Sequence, residues 1–316
     1  MRLKCGRGRG WRRGVIDIGT NSVKLLIADL HGGNISPHLE TSRQTRLGRG
    51  LYADGKLQAE PIEATVAAVN ELLALARRND CGDIRIIATS AVREAANSGE
   101  LLESLGQAVQ ILSGDDEARL VFAGAVSYPR LVKQPVVVLD TGGGSTEVIV
   151  GDAGGMRFHL SLPLGSVRLM ERHAVSDPPS ADELAAVRES IDTQLRARGV
   201  PELRRQIAAL GQEAAPVQLV ATGGVASILA MMELGIDDHD RVRMEEVELS
   251  LDRMEAWRER LWGLPLPRRR EITGLPATRA DVALFGSLIV EQSMRQLGFD
   301  ALRVSTRGIR FGVLCS

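Results

Sequence analysis

The chain has 316 residues, of which 44% are hydrophobic and 25% are charged, and its formal net charge is −1. This length and composition are typical of a globular protein with about two domains. The near-zero net charge excludes the strongly basic footprint of a general nucleic-acid binder, so we expect no nucleic acid polymer as a partner. A polyanionic ligand would have to be bound by local clusters of Arg and Lys.

The cysteine pattern and the absence of long apolar runs indicate a cytoplasmic protein. Cys5, Cys81 and Cys315 lie far apart in the sequence, as expected for free thiols in a reducing compartment. No apolar run approaches the roughly 20 residues that span a bilayer, so we expect no membrane partner. The basic segment 1–14 is not followed by a signal-peptide core, and we interpret it as a disordered tail.

Strands and helices alternate along the chain. Short strands at 15–18 and 23–30 flank a Gly/Asn turn, which predicts a hairpin. Apolar residues at helical spacing after Pro61 predict a helix over 61–78. The further predicted elements are a strand at 84–88, a helix at 115–126, strands at 136–140 and 218–221, and helices at 181–198, 225–234 and 281–297.

The opening hairpin returns 123 residues further along the chain. DIGTNSVKLLIAD (17–29) and DTGGGSTEVIVGD (140–152) share Asp, Gly, Ser and Asp at their first, third, sixth and thirteenth positions. This repeat indicates two related domains, although chance similarity between two short hairpins is the alternative. We place the first domain at 15–130 and the second at 131–316, with the final helix able to pack back on the first. The fold class is therefore α/β, with a ligand cleft where strand ends from both halves meet.

The segment from Asp140 to Glu147 has the composition of a metal–phosphate site. Three consecutive glycines, 142–144, destabilise a backbone, but they allow successive N–H groups to turn inward around a phosphate. The flanking carboxylates are hard oxygen ligands of the kind that hold Mg²⁺ near phosphates. A glycine-rich hairpin with exposed acids at its base is the structural alternative.

Three further segments carry candidate catalytic or anion-binding residues. Glu117 follows Ser113 in an acidic first turn, which helix capping alone would explain, but a Glu117 that faced the cleft could act as a general base. Arg93 follows a buried strand and could bind a phosphate in a bidentate manner or form a surface salt bridge with Glu94 or a neighbour. Thr222, Gly223 and Gly224 precede a predicted helix whose N-terminus could bind an anion.

Nine segments in a fixed order resemble the Ppx/GppA phosphatases, a branch of the actin-like, sugar-kinase-like superfamily. They cover nearly the whole chain from Val15 to Leu314, and the length resembles the short two-domain members. The segments are VIDIGTNS (15–22), TRLGRGL (45–51), ATSAVREAANS (88–98), LSGDDEARL (112–120), VVLDTGGGSTEV (137–148), LGSVRL (164–169), ATGG (221–224), GLPATRAD (274–281) and VSTRGIRFGVL (304–314).

The resemblance implies two ribonuclease-H-like domains with mixed sheets flanked by helices, which face each other across an active-site cleft. It implies that Glu117 is the general base and that Asp140 and Glu147 hold Mg²⁺, with Mn²⁺ as an alternative. The residues that it implies for phosphate binding are Asn21, Ser22, Arg93, Gly142, Gly143, Gly144, Ser145, Thr222, Gly223 and Gly224. Two departures, Met244-Glu245-Glu246 in place of Val-His-Gly and Phe311 in place of Glu, are expected to alter the rim of the cleft.

We therefore expect a hydrolase of phosphoanhydrides. The favoured substrate is inorganic polyphosphate, cleaved from its end, and guanosine pentaphosphate is the alternative; Arg268, Arg269 and Arg270 could line a polyanion path or form a solvated loop. A nucleotide-binding sensor without turnover is a competing hypothesis, which the acidic residues argue against, and a kinase of the same superfamily is a weaker one. The sequence leaves the oligomeric state open, a homodimer included.

Overall fold

The first half of the chain forms a mixed five-stranded sheet with helices around it. The structure, a computed structural model, describes residues 11–32, 34–213 and 216–316. The strands are β1 (Trp11–Ile18), β2 (Ser22–His31), β3 (Asn34–Gln44), β4 (Asp83–Ala88) and β5 (Gln110–Ile111). Their spatial order is β3-β2-β1-β4-β5, in which β1, β2 and β3 are antiparallel neighbours and β1, β4 and β5 run parallel. The helices are α1 (Leu51–Asp54), α2 (Ala59–Arg78), α3 (Ser90–Glu94), α4 (Ser98–Leu105) and α5 (Gly114–Val126).

The second half repeats this arrangement and adds one edge strand. Its strands are β6 (Val136–Thr141), β7 (Thr146–Asp152), β8 (Gly155–Leu162), β9 (Gln218–Thr222), β10 (Glu248–Ser250) and β11 (Ala301–Val304). The order β8-β7-β6-β9-β11 matches the order of the first sheet strand for strand, and β10 pairs antiparallel with β11. The helices are α6 (Ser166–Arg172), α7 (Ala181–Ala197), α8 (Val200–Glu213), α9 (Gly223–Leu234), α10 (Arg241–Met244), α11 (Leu251–Gly263), α12 (Leu266–Arg269), α13 (Ala283–Leu297) and α14 (Ile309–Cys315), with a 3-10 turn at Ala277–Arg279.

These two mixed sheets flanked by helices confirm the predicted α/β fold class. Two details of the prediction differ. Residues 11–14 belong to β1, where Arg12 pairs with Asp29 at 2.9 Å, and the rest of the predicted tail lies outside the described residues. The predicted helix 281–297 corresponds to α13, which packs mainly against α6, α7 and α11 of its own half. The later and shorter α14 is the helix that packs on the first half, against α5 and β1.

A shared apolar core joins the two halves behind the cleft. Helices α5 and α14 lie between the sheets and bury Phe122 and Phe311 together with the inner faces of β1, β6 and β9. The helices cross where Gly124 and Gly312 lie, and a Cβ atom at either position would collide with backbone of the opposite segment. This close crossing fixes α5, and therefore its first turn, relative to both sheets. In the described part of the chain, every helix is too short or too polar to cross a lipid bilayer.

Candidate active site

The two repeated hairpin turns face one cleft. In each turn the glycine N–H donates to the serine carbonyl group: Gly19 to Ser22 at 3.1 Å, and Gly142 to Ser145 at 2.9 Å. Both turns follow the carboxyl ends of parallel strands, where α/β folds bind ligands. Residues from both turns line a cleft of about 330 Å³ between the two halves.

The glycine turn presents a row of backbone donors. The carbonyl groups of Gly142 and Gly143 accept from the first N–H groups of α6, at 2.9–3.1 Å, and the Gly144 carbonyl accepts from Arg168 Nε at 2.7 Å. In a trans peptide the N–H points away from the preceding carbonyl oxygen. The N–H groups of Gly143, Gly144 and Ser145 are therefore turned to the opposite side, and within the described residues they have no acceptor. Three adjacent free N–H groups form a cradle for an anionic oxygen.

The residues opposite explain why the middle of this turn is glycine. A Cβ atom at Gly144 would lie 2.5 Å from Ser90 Oγ and 2.7 Å from Thr20 Oγ1, and it would also collide with the Tyr52 hydroxyl group. These three hydroxyl groups belong to the first half of the chain, so the cradle is packed directly against the other domain. A side chain at Gly144 would therefore require these hydroxyl groups or the turn to move.

Glu117 lies in the cleft at the start of α5. Ser113 caps this helix, since its Oγ accepts from the N–H of Asp116 at 3.1 Å. Glu117 is only 7% exposed, and Arg93 donates to its Oε2 at 2.8 Å. Burial raises the pKa of Glu117 to about 7; Arg93 opposes this rise, and the carboxylates of Asp140 and Asp17 add to it. A carboxylate whose pKa is close to neutral can exchange a proton with water at neutral pH.

Further carboxylates surround the same space. Glu147 pairs with Asp140 across the β6–β7 hairpin, and Asp17 is the last residue but one of β1. Burial raises the pKa of Asp140 to about 6. Burial also raises the pKa of Glu147 well above its ordinary value, and the charges of Glu117 and Asp140 raise it further. Asp17 Oδ1 is buried without a hydrogen-bond partner, and burial raises the pKa of this residue too.

This donor set fits a divalent cation bound together with phosphate. Within residues 11–32, 34–213 and 216–316, no three His, Cys, Asp or Glu side chains lie close enough to hold a metal ion by themselves. Mg²⁺ in phosphate-processing sites is held by one or two carboxylates, substrate phosphates and water, so a complete protein cage is not required. Crowded buried carboxylates and the unpartnered Asp17 oxygen are stabilised by such a charge.

The raised pKa of Glu147 predicts a pH-dependent stability difference. Above the ordinary glutamate pKa of about 4.3, the unfolded chain releases a proton that the metal-free folded protein keeps, so the wild type loses stability as the pH rises towards the folded-state pKa. Glu147→Gln removes this titration. We expect the free energy of unfolding of this variant, relative to wild type, to be higher at pH 8 than at pH 5 in urea titrations with a chelator.

Glu183→Gln is the matched control. Hydrogen bonds from Ser176 and Ser180 lower the pKa of Glu183 to about 2, so its contribution to stability is complete above about pH 4.3 and is lost only as the pH falls towards 2. Its effect on unfolding should be equal at pH 5 and pH 8. An equal effect of Glu147→Gln at both pH values would contradict the prediction.

The structure brings most of the predicted site residues together. Those that line the cleft are Asn21, Ser22, Glu117, Asp140, Gly142, Gly143, Gly144, Ser145, Glu147, Gly223 and Gly224. Gly223 has φ +85°, and its backbone passes so close to the Asp140 carboxylate that a Cβ atom would collide with Oδ1. Thr222 lies directly behind, with its Oγ1 buried and unpartnered.

Arg93 contacts Glu117 in this structure, and its role as a phosphate ligand stays a prediction. It is not among the cleft-lining residues, and one guanidinium nitrogen contacts both Glu117 Oε2 and the Leu112 carbonyl oxygen at 2.8 Å. One of these acceptors belongs to α5 and the other to the residue after β5. Together they hold the guanidinium group behind the Glu117 carboxylate. Arg93 therefore positions Glu117, which is a partner that the sequence reasoning did not consider.

Three cations and two acids in the cleft were missed. The residues are Lys24, Arg279, Arg310, Asp17 and Glu40. Burial lowers the pKa of Lys24 to about 8, which Asp17 opposes, and Arg279 donates to Ser22 Oγ at 2.7 Å. The repeat contains a signal for Lys24: it occupies the place in the first hairpin that Glu147 occupies in the second, seven residues after the leading Asp.

Neither the family departures nor the arginine run lines the cleft. Met244 and Phe311 are fully buried in apolar cores, and Glu245 is buried against Thr306, which does line the cleft, so an effect of the departures on the rim would be indirect and stays a prediction. The three arginines 268–270 are also absent from the cleft lining: Arg269 is buried against Asp177, and Arg268 pairs with Glu271 at 2.6 Å. The polyanion-path interpretation of this run therefore has no support in the geometry.

This chain is similar to several known proteins in sequence and in fold. Residues 26–316 match the Ppx/GppA phosphatase family. Exopolyphosphatase 1 and exopolyphosphatase 2 of Mycobacterium tuberculosis are 30% and 32% identical to this chain, each over 96% of it and over 87% and 98% of their own lengths. A crystal structure of the Aquifex aeolicus Ppx/GppA family member has a TM-score of 0.77 and 29% identity, with 97% of each chain covered. That of an exopolyphosphatase from Cytophaga hutchinsonii has a TM-score of 0.81 and 26% identity over 96% of both chains. The chain belongs to the Ppx/GppA phosphatase family.

Proposed function

We propose that this protein is an exopolyphosphatase, which hydrolyses the terminal phosphoanhydride bond of inorganic polyphosphate and releases orthophosphate. The observation that carries the proposal is the row of three free N–H groups in the glycine turn, which shares one cleft with the buried carboxylate of Glu117. An anion cradle and a base in one cleft are the two parts that attack of water on a phosphate requires. The names of relatives at about 30% identity support the same activity.

In the proposed reaction Glu117 accepts a proton from a water molecule. The water oxygen forms a bond to the terminal phosphorus, and the bridging P–O bond breaks, so that the shortened chain leaves with the electron pair. The N–H groups of residues 143–145 bind the oxygens of the transferred phosphate, while Asn21 and Ser22 contact it from the opposite turn. Lys24, Arg279 and Arg310 offset the charge of the following phosphates.

We propose Mg²⁺ as the cofactor, with Mn²⁺ as an alternative, held by Asp140 and Glu147. When bound, the ion neutralises charge on the phosphate oxygens. Cys81 and Cys315 are free thiols, in keeping with our proposal of a cytoplasmic location. A homodimer stays a prediction, which light scattering of the purified protein tests.

Guanosine pentaphosphate is the second candidate substrate. One wall of the cleft is apolar, with Ile228, Met231, Met232 and Pro276, and a bare polyphosphate chain has no group that would use it. A nucleoside has such a group, because its base is flat and largely apolar. The buried carboxylates disfavour the sensor hypothesis, since a pure binder of polyanions gains nothing from added negative charge.

A phosphate-release assay tests the proposal directly. Long polyphosphate, short polyphosphate and guanosine pentaphosphate are each incubated with the purified chain and Mg²⁺, Mn²⁺ or a chelator. We expect metal-dependent release from polyphosphate at a higher kcat/KM than from guanosine pentaphosphate. The reverse order would favour the second candidate. No release from any substrate, with nucleotide binding intact by calorimetry, would support the sensor instead.

A further inference from the structure

Arg168 connects the glycine turn to the opposite domain. Its side chain is buried, and Nε donates to the Gly144 carbonyl oxygen at 2.7 Å. Nη2 contacts both carboxylate oxygens of Glu94 on α3, each at 2.7 Å. The guanidinium lies 4.0 Å above the ring of Tyr52, and Ser90 Oγ donates to Glu94 at 2.6 Å. Arg168 therefore spans from the second half of the chain to the first through a charge-assisted network.

The three carbonyl groups behind the cradle are not held in the same way. Those of Gly142 and Gly143 accept from backbone N–H groups of α6, which no substitution of a side chain removes. That of Gly144 is held by the Arg168 side chain. Because a peptide unit is planar, rotation of the Gly144 carbonyl rotates the Ser145 N–H with it. The direction of the third donor of the cradle therefore depends on one side chain.

We propose that Arg168 is a positioning residue that aims the Ser145 N–H at the transferred phosphate, and that Glu94 fixes it from the other domain. The Ser145 N–H is then aligned with the phosphate only when Arg168 of the second half contacts Glu94 of the first half. The inference rests on the proposed function, since it needs a phosphate in the cradle. It concerns how the cradle is completed, which the assay of substrates does not address.

Arg168→Lys tests the role with the charge retained. A lysine has one point of donation and cannot reproduce the planar geometry that serves Gly144 and Glu94 together. Because a misplaced donor costs up to about 10²-fold, we expect kcat for polyphosphate to fall by roughly that factor. KM for long chains should change little, and the inhibition constant of orthophosphate should rise, since that ion occupies only the cradle. Arg172→Met, at an exposed position one turn later on α6, is the control. It should leave kcat, KM and the inhibition constant of orthophosphate unchanged.

Glu94→Gln approaches the same contact from the opposite domain. It leaves Arg168 in place but removes the charge-assisted pair. We therefore expect a smaller fall in kcat, little change in KM for long chains and a smaller rise in the inhibition constant of orthophosphate. If the two residues act through one contact, the double variant should be no slower than the slower single variant. Independent, multiplicative losses, or an unchanged orthophosphate constant in both single variants, would overturn the inference. A wild-type protein that released no phosphate would contradict the proposed function instead.

Discussion

Glu117→Gln is expected to lower kcat for phosphate release by about 10²–10⁴-fold, the usual contribution of a general base. Glutamine keeps the size of the side chain and an oxygen that accepts from Arg93, but it cannot take a proton from water. Burial already holds the pKa of Glu117 at about 7, so the charged form is costly in the folded protein. We therefore expect the variant to be no less stable than wild type in urea unfolding of metal-free protein.

Asp115→Asn is the control for this prediction. It lies in the same helical turn and removes one carboxylate, but its side chain is 68% exposed and is not part of the cleft lining. Its kcat should equal that of wild type. Near-native turnover in Glu117→Gln, with the control also active, would show that another group takes the proton.

Gly144→Ala is expected to reduce kcat by at least about 10²-fold, the cost of losing one preorganised donor. The added methyl group meets the hydroxyl groups of Tyr52, Ser90 and Thr20, all of which belong to the opposite domain. To relieve these contacts either the three hydroxyl groups or the turn must shift, and a shift of the turn moves the N–H groups of Gly144 and Ser145 with it. The effect should appear in kcat and in orthophosphate inhibition at a temperature where both proteins remain folded.

Gly82→Ala separates this steric effect from the general cost of replacing a glycine. Gly82 lies in the loop before β4, and nothing lies within 4 Å of the position that a Cβ atom would take. We expect no change in kcat for this variant. A fully active Gly144→Ala protein would show that the contacts with these hydroxyl groups do not fix the turn during the reaction.

Local sequence patterns predicted part of the elements, whereas the strands β3 and β8 and the helices α8 and α11 were not predicted. The hairpin at β1–β2, its repeat at β6–β7 and the helix α2 follow from turn residues and from apolar spacing within about 20 residues. The cap of α5 also follows from its own residues, since Ser113 binds the first turn. Such features depend on neighbours in the sequence, so the sequence contains the whole of their cause.

The residues of the site that stand in local motifs were predicted, whereas contacts between distant residues were missed because they leave no local pattern in the sequence. The two Asp-led turns and Glu117 stand in motifs that the family resemblance identifies, and they do meet in one cleft. The partner of Arg93 lies 24 residues away, and the partner of Arg168 lies 74 residues away on the other domain. No local pattern encodes such distances, so the contact of Arg93 with Glu117 and the contact of Arg168 with Glu94 were not predicted.

The sequence by itself determined the repeated strand–turn–strand units, the α/β class and the motifs proposed to bind phosphate, because each depends on side chains and turns close together in the chain. Only the tertiary structure decided which charges share the buried cleft. The pKa of Glu117, the unpartnered oxygen of Asp17 and the entry of Lys24 and Arg310 into the site all arise from burial between two domains. Burial and long-range charge are properties of the packed molecule, since they require atoms from distant segments to exclude water from the same space.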